Sequence, residues 1–416
     1  MHALRFLPKS FYFFFNRIAR YAQSKESRNL SSKIPQITSK AIFRNCLILK
    51  RFNCRFLHHI DVMKYEVDLN KIKKILLFVL CMFATTVVGQ TPSGYTAAFL
   101  NLTTSARVAA LGSNYISVAD DDISVAFGTP SLISEQMNNA LSLSFVSLFS
   151  GGGYGSILYG REIENFGSFV FGLQYVNYGT FDGYDEDENA EGTFAAADYV
   201  FSIGWGKKLA DNLSMGASFK PILSHYESYT SFAVAFDLAL TYNSSDELFS
   251  STVVARNIGA QLVTFDGVSE PLPFELSAGL SYKLPKAPFR LYFTATELQT
   301  WNLRYDDPLN PTETIDPFTG EVTAENKLMG VLDNMVRHAV VGVEFCPTKA
   351  FNVRLGYNYR RVKEMQASQG FNFSGFSYGV GLRVKKFYIS YSRNNYHQGQ
   401  SPNYITVTTD LNNFLK

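Results

Sequence analysis

From about Ala140 to the C-terminus the chain alternates, residue by residue, between apolar side chains and small or polar ones, and the gaps between the alternating runs are themselves alternately short and long. In the run 231–242, Phe232, Val234, Phe236, Leu238, Leu240 and Tyr242 fall on one side, and Ala233, Ala235, Asp237, Ala239 and Thr241 on the other. The runs 274–284 and 351–360 divide in the same way. Successive side chains of a strand point to opposite faces, so each run has one greasy face and one small or polar face. A strand that crosses a bilayer needs roughly 9–11 residues, apolar toward lipid and polar toward a lumen. The pattern therefore predicts an all-β chain folded as an antiparallel transmembrane β-barrel.

Fourteen such runs can be counted between 141–149 and 404–411, an even number, as a single-chain bacterial barrel requires. The connections at 162–166, 208–212, 243–248, 285–288, 346–350 and 385–386 are short. Those at 179–197, 258–273, 299–337, 361–375 and 394–403 are longer. In outer-membrane barrels the short turns are periplasmic, which places both chain ends in the periplasm and the long loops outside the cell. About eight strands are filled by their own side chains and about sixteen leave an open channel, so an interior of intermediate width either conducts or holds an occupant. Residues 90–139 differ from the rest, with small residues, an acidic turn at Asp120, Asp121 and Asp122, and a break at Pro130. This segment, with one or two short helices, is the candidate plug; a periplasmic cap is the alternative.

Ahead of it, 75–88 is apolar, follows Lys71, Lys73 and Lys74, and ends in Val87, Val88 and Gly89. It is too short to cross a bilayer as a helix and has the three-part build of a secretory signal peptide, with cleavage expected after Gly89. Residues 63–89 are thus expected to be the signal, 1–62 a mis-annotated upstream extension, 90–139 the plug or cap, and 140–416 the barrel. Residues 1–89 hold 16 of the 38 basic and 4 of the 36 acidic groups, leaving 22 against 32 and a net charge of −10 for the remainder. That sign disfavours a nucleic-acid partner. After Gly89 only Cys346 remains, so no disulfide can form within the exported chain.

Chemistry-bearing patterns are sparse. His225, His338 and His397 share no metal-ligand spacing. The acidic run 182–191 lacks the ordered ligands of a calcium loop and reads as solvated loop. Gly151, Gly152 and Gly153 precede a strand instead of opening a helix, and read as a flexible hairpin. Ser-x-x-Lys does not occur after Gly89. No catalytic residue, metal or cofactor is expected, and the chain is read as a non-enzyme. The alternation assigns Asp237, Glu275, Glu344, Lys283, Arg354, Arg360 and Arg383 to the lumen. There they either pair across the interior or line a conduction path.

The stretch 100–133 carries Ser105-Ala106-Arg107, Ala110-Leu111-Gly112, the acidic turn and Pro130-Ser131-Leu132. It resembles the opening of the PorV/PorQ family of Bacteroidetes outer-membrane proteins. The blocks YVNYGTFD (175–182), GTFAAADY (192–199), KPILSHYESYTSF (220–232), EPLPFEL (270–276) and RHAVVGVEF (337–345) extend the resemblance along the chain and are most similar to its PorQ branch. Thr129-Pro130 stands where the family usually has Asn-Pro. The resemblance implies a FadL-like barrel that serves the type IX secretion system. It implies direct binding to PorZ, with PorU and PorV in the same surface attachment complex, which processes secreted cargo and joins it to lipopolysaccharide. The catalytic residues of that process belong to PorU. Arg107, Gly112, Asp120, Asp121, Asp122 and Pro130 are then the family's structural motif.

The long segment 299–337 offers Trp301, Tyr305, Asp306, Asp307 and Phe318 as a partner-docking loop, since aromatic anchors are what binding hot spots favour. A loop folded over the barrel mouth is the competing reading. A FadL-like transporter of hydrophobic small molecules is the alternative function, and a porin the third.

Overall fold

The computed structural model describes residues 95–416 apart from 118–119, 121, 148–151, 185–186, 188, 305–312, 316–321, 325–326, 365–372, 397–400 and 415–416. Fourteen strands close an antiparallel barrel. They are β1 (Ala140–Ser147), β2 (Gly153–Ile163), β3 (Gly167–Tyr184), β4 (Ala190–Ala210), β5 (Leu213–Tyr226), β6 (Tyr229–Asn243), β7 (Phe249–Val263), β8 (Glu275–Lys283) and β9 (Phe289–Ala295), followed after an excursion by β12 (Ala339–Thr348), β13 (Phe351–Asn358), β14 (Phe376–Val384), β15 (Phe387–Asn394) and β16 (Asn403–Asp410). The excursion holds a small separate hairpin, β10 (Glu313–Ile315) with β11 (Val322–Ala324). Closure comes from β1 pairing with β16, Ala140 opposite Asp410 and Ser147 opposite Asn403. A closed sheet leaves no strand edge, the condition for a backbone surrounded by hydrocarbon.

Each barrel strand contains or overlaps one of the fourteen alternating runs, and the two faces divide as the alternation requires. On β6, Ala233, Ala235, Asp237 and Thr241 are buried inward while Phe236, Leu238 and Leu240 are exposed outward. Phe145, Phe201, Phe293, Leu355, Leu382 and Ile405 continue the exposed apolar belt around the wall. A continuous apolar exterior of this extent is stable in lipid and insoluble in water, so the fold is a membrane-spanning barrel.

The wall is uneven in height. β3 and β4 have 18 and 21 residues, β9 and β13 only 7 and 8. The rim that carries both chain ends is called here the terminal rim and the opposite one the loop rim. On the tall side the chain continues as paired strand through most of 179–197, where the alternation predicts a loop, with Phe181 stacked on Phe194 at 5.4 Å. β7 likewise runs on to Val263. Above the bilayer the lipid-facing side no longer needs to be greasy, so the apolar half of the pattern fades while the ladder persists. On the low side, the segment 299–337 is not all loop: it ends in the helix α2 (Lys327–Arg337), and β13 stops at Asn358, where the helix α3 (Tyr359–Glu364) begins.

Within the barrel, the described residues of 95–139 include a five-residue helix, α1 (Ala106–Ala110), and 3₁₀ turns at Ala98–Asn101, Ile123–Val125, Pro130–Leu132 and Glu135–Met137. α1 lies against β13 to β16, and the Pro130 turn lies against β4, β5 and β6 on the other side. Leu111, Ile116, Ile123, Leu132 and Met137 are all but inaccessible. The described residues of 95–139 thus occupy the lumen.

Candidate functional site, the plug network and the loop rim

Local chemistry places Arg107. Ser105 caps α1, its hydroxyl accepting from the Val108 amide, and Asp122 caps the following turn by accepting from the Ser124 amide at 3.0 Å. Ser105 and Ser124 hydroxyls meet at 2.8 Å, which ties the two starts together. The Arg107 guanidinium then grips Asp120 with two parallel bonds, Nη1 to Oδ1 at 2.9 Å and Nη2 to Oδ2 at 2.7 Å. Nη1 also reaches Asp122 at 3.3 Å. Paired, fork-to-fork geometry is the strong form of this interaction.

The same guanidinium joins plug to wall. Nη2 donates to Glu344 Oε2 on β12 at 3.0 Å. Glu344 also accepts from Tyr292 Oη at 2.6 Å and from Arg354 Nε at 2.8 Å. Arg290 stands 3.3 Å from Asp120 and 3.7 Å from Glu344, and Arg354 is held in turn by Ser390 and Tyr388. Three guanidinium groups face three carboxylates, so the cluster is neutral as a whole. Tyr115 of the plug packs edge-on to Tyr292 at 5.0 Å and covers it.

Shape complements charge. Gly112 ends α1 at φ +97°, in the left-handed region that suits glycine, and a Cβ there would lie 2.4 Å from Val340 Cγ1. On the far wall a Cβ on Gly216 would lie 2.2 Å from the Pro130 carbonyl carbon, so the bare backbone of β5 is what admits the Pro130 turn. Thr129, at the start of that turn, makes no side-chain capping bond. Hydrogen bonds surround the plug: Ala106 N to Thr406 Oγ1, Ser377 Oγ to Ala110 O, Ser281 Oγ to Ser117 O, and Ser131 with Thr241.

Of the motif residues, Arg107, Gly112, Asp120, Asp122 and Pro130 therefore all lie at plug contacts, and Asp121 is outside the described residues. Asp237, Glu275, Glu344 and Arg354 are buried inside the barrel. Asp237 pairs with Lys220 at 2.5 Å, and Glu275 with Arg256 at 3.5 Å. Three lumen assignments need correction. Lys283 and Arg383 lie at strand ends on the terminal rim and are exposed, because alternation there no longer separates lumen from water. Arg360 lies on α3, beyond the last residue of its strand, bonded to Glu364 and Glu297.

The alternation also gives inward positions to Lys220, Arg290 and Tyr292, though nothing local marks them as plug partners.

At the loop rim, Trp301 is exposed, and Tyr305, Asp306, Asp307 and Phe318 are outside the described residues. The Trp301 carbonyl accepts from Asn334 Nδ2 of α2 at 2.5 Å and lies 3.2 Å from His338 Nε2. Asp333 on α2 accepts from Tyr359 Oη at 2.7 Å and from Arg337 Nε at 2.8 Å. Burial pushes the Asp333 carboxyl up, but the Tyr359 hydroxyl and the Arg337 guanidinium outweigh it and hold the group below its ordinary range. Burial and the Asp333 contact push the Tyr359 hydroxyl up to about 12.

No protein-family model and no curated protein sequence matches the chain. Among solved structures, the Ralstonia pickettii toluene transporter TbuX is similar at 10% identity and a TM-score of 0.42, covering 75% of this chain and 100% of its own. The P. putida toluene transporter TodX stands at 10% and 0.42, covering 75% and 99%. A Pseudomonas aeruginosa FadL homologue stands at 11% and 0.42, covering 76% and 100%. At such identities and scores the likeness assigns no function to this chain.

Proposed function

We propose that this protein is a non-enzymatic outer-membrane anchor of the type IX secretion system, holding the surface attachment complex through PorZ, with PorU and PorV in the same assembly. The plug lock carries this reading: with Arg107 bonded at once to Asp120, Asp122 and Glu344, the lumen holds a fixed occupant, which favours a scaffold over a passage. In this reading the loop rim faces outside the cell, both chain ends are periplasmic, and the lipid neighbours include lipopolysaccharide. The segment 299–337 then offers the docking surface. Affinity purification of the tagged protein from mildly solubilised outer membranes, followed by mass spectrometry, tests it. Recovery of PorZ with PorU and PorV is the expected result; a barrel recovered alone from cells that secrete normally would count against the anchor.

A second reading is a transporter of hydrophobic small molecules. It is favoured by an apolar depression of about 400 Å³ on the lipid-facing side of β1 to β3, lined by Leu143, Phe145, Ile157, Leu173 and Tyr175 over Gly153 and Gly155. Loss of fatty-acid uptake on deletion of the gene, with secretion intact, would select this reading.

A further inference from the structure

The helix α2 is amphipathic in the inverted sense. At 3.6 residues per turn, Met329, Val331, Leu332, Met335 and Val336 span about 160° of its circumference. These five side chains are between 44% and 60% exposed. The opposite arc carries Gly330, Asp333, Asn334 and Arg337, and this is the side that faces protein. Asp333 is bonded to Tyr359 of α3, and Asn334 is buried between the Trp301 carbonyl and the Leu303 amide. α3 lies inward of α2, since its Arg361 sits 3.9 Å over the ring of Tyr396, whose hydroxyl adjoins Tyr404 in the barrel mouth. From the axis outward the order is Tyr396, α3, the polar arc of α2, and then its apolar arc. A helix packed on a soluble core would be turned the other way.

The position of α2 settles what lies beyond that arc. The helix ends at Arg337, two residues before β12 begins, and the outward side chains below it are Ala339 with Ala295 across the ladder and then Val341 with Phe293, the last two exposed in the lipid belt. Leu298 and Trp301, in the segment that follows β9 at the loop rim, are also exposed. Trp301 is fixed there by stacking on His338 at 6.1 Å. Tryptophan at the boundary of an apolar belt is the usual marker of the headgroup layer. We infer that α2 is an interfacial helix whose Met329, Val331, Leu332, Met335 and Val336 lie in the lipid leaflet at the loop rim, continuous with the belt of β9 and β12. An amphipathic helix in that position enters roughly 5–10 Å into the headgroup and acyl boundary. It would pin the low side of the wall and turn α2 to lipid, leaving protein docking to the rest of 299–337. The inference does not depend on the secretion reading.

The test uses the whole protein in phosphatidylcholine vesicles, with its native cysteines replaced by serine and single cysteines introduced as Met329→Cys, Leu332→Cys and Met335→Cys. Ser228→Cys, in the exposed turn between β5 and β6, is the control. Each cysteine carries a bimane label, and heat-modifiable gel mobility confirms that the barrel is closed. Quenching of the three α2 labels by a lipid bearing a shallow nitroxide should be at least twice that of the control, and quenching by aqueous iodide at most half. Iodide quenching equal to the control would overturn the inference. So would protection from both quenchers, which would mean that the arc is covered by protein.

Discussion

Arg107 Nη2 lies 3.0 Å from Glu344 Oε2, joining a five-residue helix near the start of the described chain to the middle of β12, 237 residues later. Both groups are buried. Removing Arg107 leaves Arg290 and Arg354 facing the three carboxylates of Asp120, Asp122 and Glu344, one buried negative charge in excess. Arg107→Met should therefore destabilise plug docking by about 3–5 kcal/mol. The barrel, held by its own ladder, should stay heat-modifiable on gels while residues 95–139 become open to protease. Arg107→Met combined with Glu344→Gln should cost less than the two single changes added together, which a double-mutant cycle in lipid vesicles would measure.

Gly112→Ala meets two obstacles, a left-handed backbone and Val340 Cγ1. Holding a non-glycine residue in that region costs about 1–3 kcal/mol. Pairing it with Val340→Ala makes room for the Cβ and leaves the backbone cost, so thermal unfolding should show partial recovery. Full recovery would mean that conformation plays no part.

Leu238 lies at the centre of the lipid face of β6, beside Asp237 on the lumen face. Arginine at a midplane lipid position costs roughly 2–4 kcal/mol. Leu238→Arg should shift reversible folding into vesicles by that amount, and no shift would mean that this face is not in lipid.

The docking of α2 on α3 should depend on pH. Because the folded Asp333 carboxyl lies below its unfolded value, its contribution is complete above about pH 4 and is lost as pH falls through the lower folded value. The Tyr359 hydroxyl is displaced upward, so its contribution is complete below the unfolded value of about 10 and fades as pH rises through about 12. The chain has two tryptophans, and Trp205→Phe leaves Trp301 as the reporter of α2. Its fluorescence should stay flat between those limits and change below pH 4. Asp333→Asn should remove the acid-side change and leave the rest of the curve in place.

The strand count, the two faces of every strand and the inward charges Asp237, Glu275, Glu344 and Arg354 are readable in the linear chain, because the period of a strand is local and a bilayer demands that it be kept. The extra height of β3 and β4 is not, since beyond the lipid the apolar half of that period has no work to do. The helix α2 falls in a segment that the strand alternation leaves as loop, and only the packing of Asp333 against Tyr359 shows that its greasy side faces outward. Arg107 and Glu344 can each be recognised as a charge that needs a partner. That they choose one another depends on closure of the β1 and β16 seam around the plug, a long-range event that brings together residues with no local signal for the pairing.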